Sequence, residues 1–127
     1  MLFRSKQQAA ALVAKALADE PRTTSLKGDK LPATGLAIAD LDSQQKAMVS
    51  KLVEMMLRPF RSADAQEVHA CLDSNGGVDK LRMTFCKEND LGNDGVWDIW
   101  KLEGPAFSWF FRGSPHVHTW LNVARKA

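Results

Sequence analysis

Hydrophobic positions recur at helical spacing in three segments of this chain, and from Leu81 onward they alternate with a period of two. Ser5 to Glu20 is rich in Ala, Leu, Lys and Gln, all good helix formers. Leu12 with Ala16, and Val13 with Leu17, sit at i, i+4 spacing and form a narrow apolar stripe. Pro21 stops that helix. Arg22 to Gly35 has no period and reads as a surface connection, leading to a short strand around Leu36-Ala37-Ile38. Asp42 caps a second helix, with Gln45 as its capping-box partner. Met48, Leu52, Met55 and Met56 repeat at helical spacing behind it, backed by Val49 and Val53, and Pro59 ends the run. Ser62 caps a third helix from Ala63 to about Asp73, with Val68 and Leu72 inward, and Asn75-Gly76-Gly77 closes it in a left-handed turn. Ser5-Lys6-Gln7-Gln8 echoes Asp42-Ser43-Gln44-Gln45, an echo that helix-start chemistry alone produces.

The second half reads as strands. Leu81, Met83 and Phe85 alternate with Arg82, Thr84 and Cys86. Asn89 to Gly95 contains Gly92-Asn93 and Asp94-Gly95, both hairpin signals. Val96 to Glu103 is the next strand. Gly104-Pro105 bends the chain into Ala106 to Arg112, and Gly113-Ser114-Pro115 turns it into His116 to Val123. With a three-residue last turn, Arg112 opposes His116, Phe110 opposes His118, Ser108 opposes Trp120, and Ala106 opposes Asn122. Opposed residues share a face. One face then carries Arg112, His116, Phe110, His118, Ser108, Trp120 and Asn122, a mixed surface suited to a pocket or interface. The other carries Phe107, Trp109, Phe111, Val117, Leu121 and Val123, and should bury against Met48, Leu52 and Met56. The expected fold is α+β: about three helices on one face of an antiparallel meander of four to five strands. One domain spans residues 1–127, with an N-terminal helix and connection over 1–35, a helical half over 36–79 and the sheet over 80–127.

Composition narrows the function classes. Apolar residues make up 45% and charged residues 25%, ordinary globular values. The net charge is +2 and the basic residues are dispersed, so no nucleic-acid partner is expected. No stretch approaches the roughly 20 apolar residues that span a bilayer, and no membrane partner is expected. Lys15 interrupts the apolar run after the N-terminus, so a signal peptide is not expected and the cytoplasm is the expected compartment. Cys71 and Cys86 fit no zinc spacing and read as two reduced thiols.

His116-Val117-His118 is the pattern with most chemical potential. Two residues apart on a strand, both imidazoles face the same way. A divalent metal, zinc or iron, would need a third ligand, for which Glu103, Asp98, His69 and Cys86 are candidates. The opposing reading has both histidines hydrogen-bonded on a half-exposed strand. Asp90-Leu91-Gly92-Asn93-Asp94-Gly95 resembles a calcium loop, but Gly92 and Lys101 stand where it requires ligands, so a plain turn is expected. Ser108 and Ser114 lie near the histidines without a nucleophile elbow. Trp97, Trp100, Trp109 and Trp120 offer an aromatic surface, at least two of them expected as core.

Three stretches occur in a familiar order: Leu41-Asp42-Ser43-Gln44-Gln45-Lys46, then Asp90 to Asp98 running into Leu102-Glu103-Gly104-Pro105-Ala106-Phe107, then Phe111-Arg112-Gly113-Ser114-Pro115-His116-Val117-His118. Together they resemble the C-terminal part of a bacterial family, domain of unknown function 3500, over roughly Leu36 to Val123. The resemblance implies a bacterial protein and carries no established reaction. Its members are typically longer and often exported, so this chain is open to being a fragment of such a protein. Glu103, His116 and His118 are the matching positions it singles out. Two functions follow. The first is a metal-dependent hydrolase acting on a small molecule, in which His116, His118 and Glu103 hold the ion and Arg112 stabilises an anionic intermediate. The second is a non-enzymatic interaction module that forms a homodimer through the Trp/Phe-rich sheet face. Arg112 beside His116 is expected to keep that imidazole neutral.

Overall fold

Helix starts organise the first half of the molecule. The computed structural model describes residues 3–14 and 25–126. In helix α2 (Ser43–Leu57), the Asp42 carboxylate accepts from the Gln45 backbone N–H at 2.9 Å, and the Gln45 side chain accepts from the Asp42 N–H at 3.2 Å. This is the expected capping box. Helix α1 (Ser5–Ala11) begins in a related way, with the Arg4 N–H donating to the Gln7 carboxamide at 2.8 Å. The two glutamines then bond each other reciprocally, at 3.1 and 2.9 Å, and Arg4 reaches Asp42 at 3.1 Å. The two helix starts are thus clasped, in a register one residue from the sequence echo: Arg4 and Gln7 match Asp42 and Gln45.

That clasp has a consequence for α2. It holds Gln45 inward, and the same face one and more turns on carries Val49, Val53 and Leu57, all buried. Leu52 and Met56 flank this line. Met48 and Met55 are 55% and 52% exposed, so the expected methionine stripe is corrected to a Val/Leu stripe. Helix α3 (Ser62–Ser74) follows after Pro59, one residue longer at each end than expected, with Leu72 buried and Val68 packed against the core. Its C-terminus closes with Gly77 N–H donating to Leu72 O at 3.0 Å. Gly76 and Gly77 both have positive φ, which glycine adopts without strain.

The helix expected over Ser5–Glu20 is shorter than its propensity suggests. Leu12–Val13 is strand β1, paired parallel with Phe85–Cys86. Tertiary pairing overrides local propensity here, and the remainder of the expected helix lies outside the described residues from Lys15 on. Strand β2 (Leu36–Ala37) pairs antiparallel with Met83 and Arg82 of β3 (Arg82–Cys86). Strands β4 (Ile99–Gly104), β5 (Phe107–Arg112) and β6 (His118–Val123) continue the meander. Among the described residues the sheet has six strands in the order β1-β3-β4-β5-β6, with β2 also on β3. The class is α+β as expected, and the parallel β1 makes the sheet mixed instead of purely antiparallel.

All three helices contribute to one core on one face of this sheet. Phe3, Ala11, Val49, Val53, Leu57 and Leu72 meet Met83, Leu102, Phe107 and Trp109. Trp109 is 6% exposed, and its indole N–H donates to Thr119 Oγ1 at 2.8 Å. Strand β4 starts three residues later than expected. The preceding loop is drawn together by its own carboxylates: Asp90 accepts from the Gly95 N–H at 2.9 Å, and Asp98 from the Leu91 N–H at 2.7 Å. Asp94 and Gly95, the latter at φ 76°, are bends within the long connection Lys87 to Asp98, so the expected tight hairpin turn is not formed. Trp109→Ala should destabilise the fold by about 3–5 kcal/mol, the cost of emptying a large aromatic site. Trp109→Phe should cost much less, chiefly the indole hydrogen bond. Urea unfolding of both variants checks the order; equal, small losses would mean that Trp109 is not packed as described.

Candidate functional site

The last hairpin differs from expectation by two residues. Arg112 pairs with His118, Phe110 with Trp120, Ser108 with Asn122 and Trp109 with Leu121. The connecting loop therefore holds five residues, Gly113 to Val117, not three. Its first residue is tied back to the start of β4, the Gly113 N–H donating to Asp98 O at 2.7 Å. A slip of one residue would exchange the two faces, whereas a slip of two preserves them. The face assignments for β5 and β6 therefore stand. His116 and Val117 leave the strand, and Val117 is 68% exposed instead of buried. Arg112 stands opposite His118, not His116.

Three rows cross the face opposite the helices. They are Arg82–Glu103–Ser108–Asn122, Thr84–Lys101–Phe110–Trp120 and Cys86–Ile99–Arg112–His118. This face was expected to be an open mixed surface. Over β3 to β5 it is buried: Cys86, Ile99, Phe110, Ser108, Lys101 and Glu103 are all largely removed from water. Val13 and Trp120 pack against Cys86, Ile99 and Phe110.

Two charges lie in this buried region. Lys101 Nζ is 2.7 Å from Glu103 Oε2, their side chains 6% and 10% exposed, and Lys27 Nζ adds a second contact to the same oxygen at 3.4 Å. Alternation on β4 dictates the pairing, because residues two apart share a face. Glu103 is thereby committed to cations. It also lies four residues along β4 from the row of His118, about 13 Å away at strand rise. Cys86 shares the His118 row but sits three strands away, about 14 Å. His69 lies in the cleft between α2 and α3, with Glu54 and Asp73, on the helical side of the sheet. Asp98 spends one carboxylate oxygen on the Leu91 N–H. Among the described residues, no three His, Cys, Asp or Glu side chains converge to hold a metal ion.

What the structure does bring together is a file of rings at the β6 margin. Phe110 and Trp120 stack at 5.3 Å, Trp120 meets His118 at 5.0 Å, and His118 meets His116 at 4.4 Å. His118 is half-buried and His116 exposed. Loss of hydration holds the His118 pKa below its ordinary 6.5, with the Arg112 charge and then His116 adding to the effect. The expected influence of Arg112 on a histidine is thus found at His118.

A second set of rings lies on the helical face, where Phe85 and Trp100 pack against the core. Phe85, Trp100 and Phe111 occupy one row with Thr119. Trp100 stacks on Phe111 at 5.2 Å and meets Trp109 edge-on at 4.6 Å, while Phe85 meets Trp97 at 5.8 Å. Phe85, Trp97, Trp100 and Phe111 are all half-buried. The sequence reading counted Phe111 as core. Strand alternation puts Phe85, Trp100 and Phe111 on one face, but the helices' reach along the sheet leaves no mark in that pattern. No protein-family profile matches the chain, and no curated protein or solved structure matches it.

Two predictions follow from the electrostatics. Glu103→Leu should destabilise the fold by about 3–5 kcal/mol, since it strands the buried Lys101 charge, and Lys101→Met should cost less, because Lys27 still approaches Glu103. The double variant should recover most of that loss; additive losses in chemical denaturation would contradict a buried pair. For His118, the folded state has the lower pKa, so the unfolded chain binds its proton first as pH falls. The contribution is therefore full above about 6.5 and drains away as pH drops from there toward the folded value. His118→Gln should flatten the melting-temperature profile between pH 7 and pH 5. An unchanged profile would show that His118 is not perturbed.

Proposed function

We propose that this chain is a non-enzymatic interaction module that self-associates through the edge of β6 that faces away from β5. The observation that carries this reading is the asymmetry of the sheet's two margins. Strand β3 is covered on its outer side by β1 and β2, whereas β6 pairs on one side only, with β5, among the described residues. An uncovered edge is ordinarily blunted by Lys, Pro, a bulge or shortness. His118-Thr119-Trp120-Leu121-Asn122-Val123 has six residues and carries no Lys, Pro or acidic residue.

A second copy is the occupant that such an edge fits best. Two β6 strands pairing antiparallel about a two-fold axis normal to the sheet must oppose residues of the same face. With the axis at Trp120, the two tryptophans meet, and His118 of each copy opposes Asn122 of the other. Half-buried Trp120 on one face and Leu121 on the other gain cover in that arrangement. Metal-dependent hydrolysis is the weaker reading, because Glu103 is held by Lys101 and Lys27 and lies four residues along and two strands across from His118, about 16 Å away.

Sedimentation equilibrium of the whole chain, from micromolar to hundreds of micromolar, should resolve a monomer–dimer equilibrium. Asn122→Lys, at an exposed position, should shift it to monomer with an unchanged circular dichroism spectrum. A wild-type chain that remains monomeric across that range, or an Asn122→Lys chain that dimerises as well as wild type, would refute the reading.

A further inference from the structure

We infer that His116 and His118 form a two-imidazole chelate for a late divalent transition metal, Cu²⁺ before all others, without Glu103 and independently of any pairing through β6. A metal–nitrogen bond of about 2.0–2.1 Å, in line with a ring nitrogen, puts the ion about 3.2 Å from that ring's centroid. The two centroids are 4.4 Å apart. They then subtend about 90° at a common ion, the angle of adjacent positions in square-planar or octahedral coordination. A tetrahedral ion would spread the centroids to about 5.2 Å. The ring planes are inclined by 52°, so the contact is not a stack.

The surroundings agree with a small open site. His116 is exposed on the loop before β6, so an ion reaches it from solvent and water completes the coordination. His118 is fixed from behind by Trp120, itself stacked on Phe110, which is wholly buried. One ligand is therefore rigid and the other adjustable. Among divalent ions, nitrogen ligands in tetragonal geometry favour Cu²⁺ and then Ni²⁺. Arg112 pairs with His118 in the strand register, and its charge works against a dication. The site is accordingly selective for the tightest-binding ion of the series, not a general divalent trap.

Trp120 supplies the readout, because a Cu²⁺ ion on His118 lies close enough to its indole to quench it. Untagged protein titrated with Cu²⁺ near neutral pH should show saturable quenching at one ion per chain, with an electron paramagnetic resonance spectrum of a tetragonal, nitrogen-ligated ion. His116→Ala, a change in an exposed loop residue, should weaken binding at least tenfold without changing the melting temperature. His118→Ala should weaken binding at least as much, His69→Ala should leave binding unchanged, and Arg112→Gln should tighten it severalfold. Absence of saturable binding, binding that survives His116→Ala, or binding lost with His69→Ala would each overturn the chelate. Running the titration on monomeric Asn122→Lys separates it from the dimer: the chelate should persist there, and its loss would overturn its independence of β6 pairing.

Discussion

The buried pair Lys101–Glu103 constrains the rest of the sheet. Strand β4 is hydrogen-bonded on both edges, to β3 and β5, and covered on both faces. Apart from half-buried Trp100, its side chains therefore go to an interior. Leu102 enters the helix-side core, while Ile99, Lys101 and Glu103 enter the opposite side. Isolated charges there would cost several kcal/mol each, and two residues' separation on one strand lets them satisfy each other. A slip of β4 by one residue would drive both into the helical core beside Trp109. The pair does little for net stability against an apolar replacement, but it penalises every odd register, and β3, β5 and β6 inherit the register it selects.

That constraint also removes Glu103 from the chemistry that its position in the chain suggested. A carboxylate held by one lysine at 2.7 Å and approached by another at 3.4 Å is a structural anion. Among the described residues, the histidines have aromatic rings and Arg112 as company. Two protein ligands can bind an ion but leave most of its coordination sphere to water. For this reason the binding readings at the β6 margin stand ahead of hydrolysis.

Much of the fold was legible because its signals were local. The Asp42–Gln45 box, the Asn75-Gly76-Gly77 stop and the period-two run from Leu81 each report on a few neighbouring residues. Elements decided by distant partners were not. Leu12–Val13 reads as helix until Phe85–Cys86 offers it a strand to join. The apolar arc of α2 is wide enough to admit either the Met48–Met55 or the Val49–Val53–Leu57 orientation, and Gln7, 38 residues away, chooses by pairing with Gln45. The last hairpin kept its faces yet changed its partners. Alternation specifies parity, whereas loop length depends on the Gly113–Asp98 bond across to another strand. The histidine site was half legible for the same reason: adjacency of His116 and His118 is local, but the distance to Glu103 is a property of the sheet.

The two margins of the sheet show what the chain has done with its exposed polar backbone. At β3, two dipeptide strands, β1 and β2, are recruited from remote parts of the sequence to cover one edge. At β6, residues His118 to Val123 leave the other edge with aromatic, aliphatic and neutral polar side chains. Edges that only need to avoid company are usually charged. Among the described residues, Arg112 lies one strand inside, and Arg125 lies beyond the end of β6, within 3.6 Å of Glu67. The half-exposed rings of Trp120 and His118 therefore sit on an uncharged edge, beside an adjustable His116. An edge of that composition is better suited to a partner strand and a small ion than to permanent solvation.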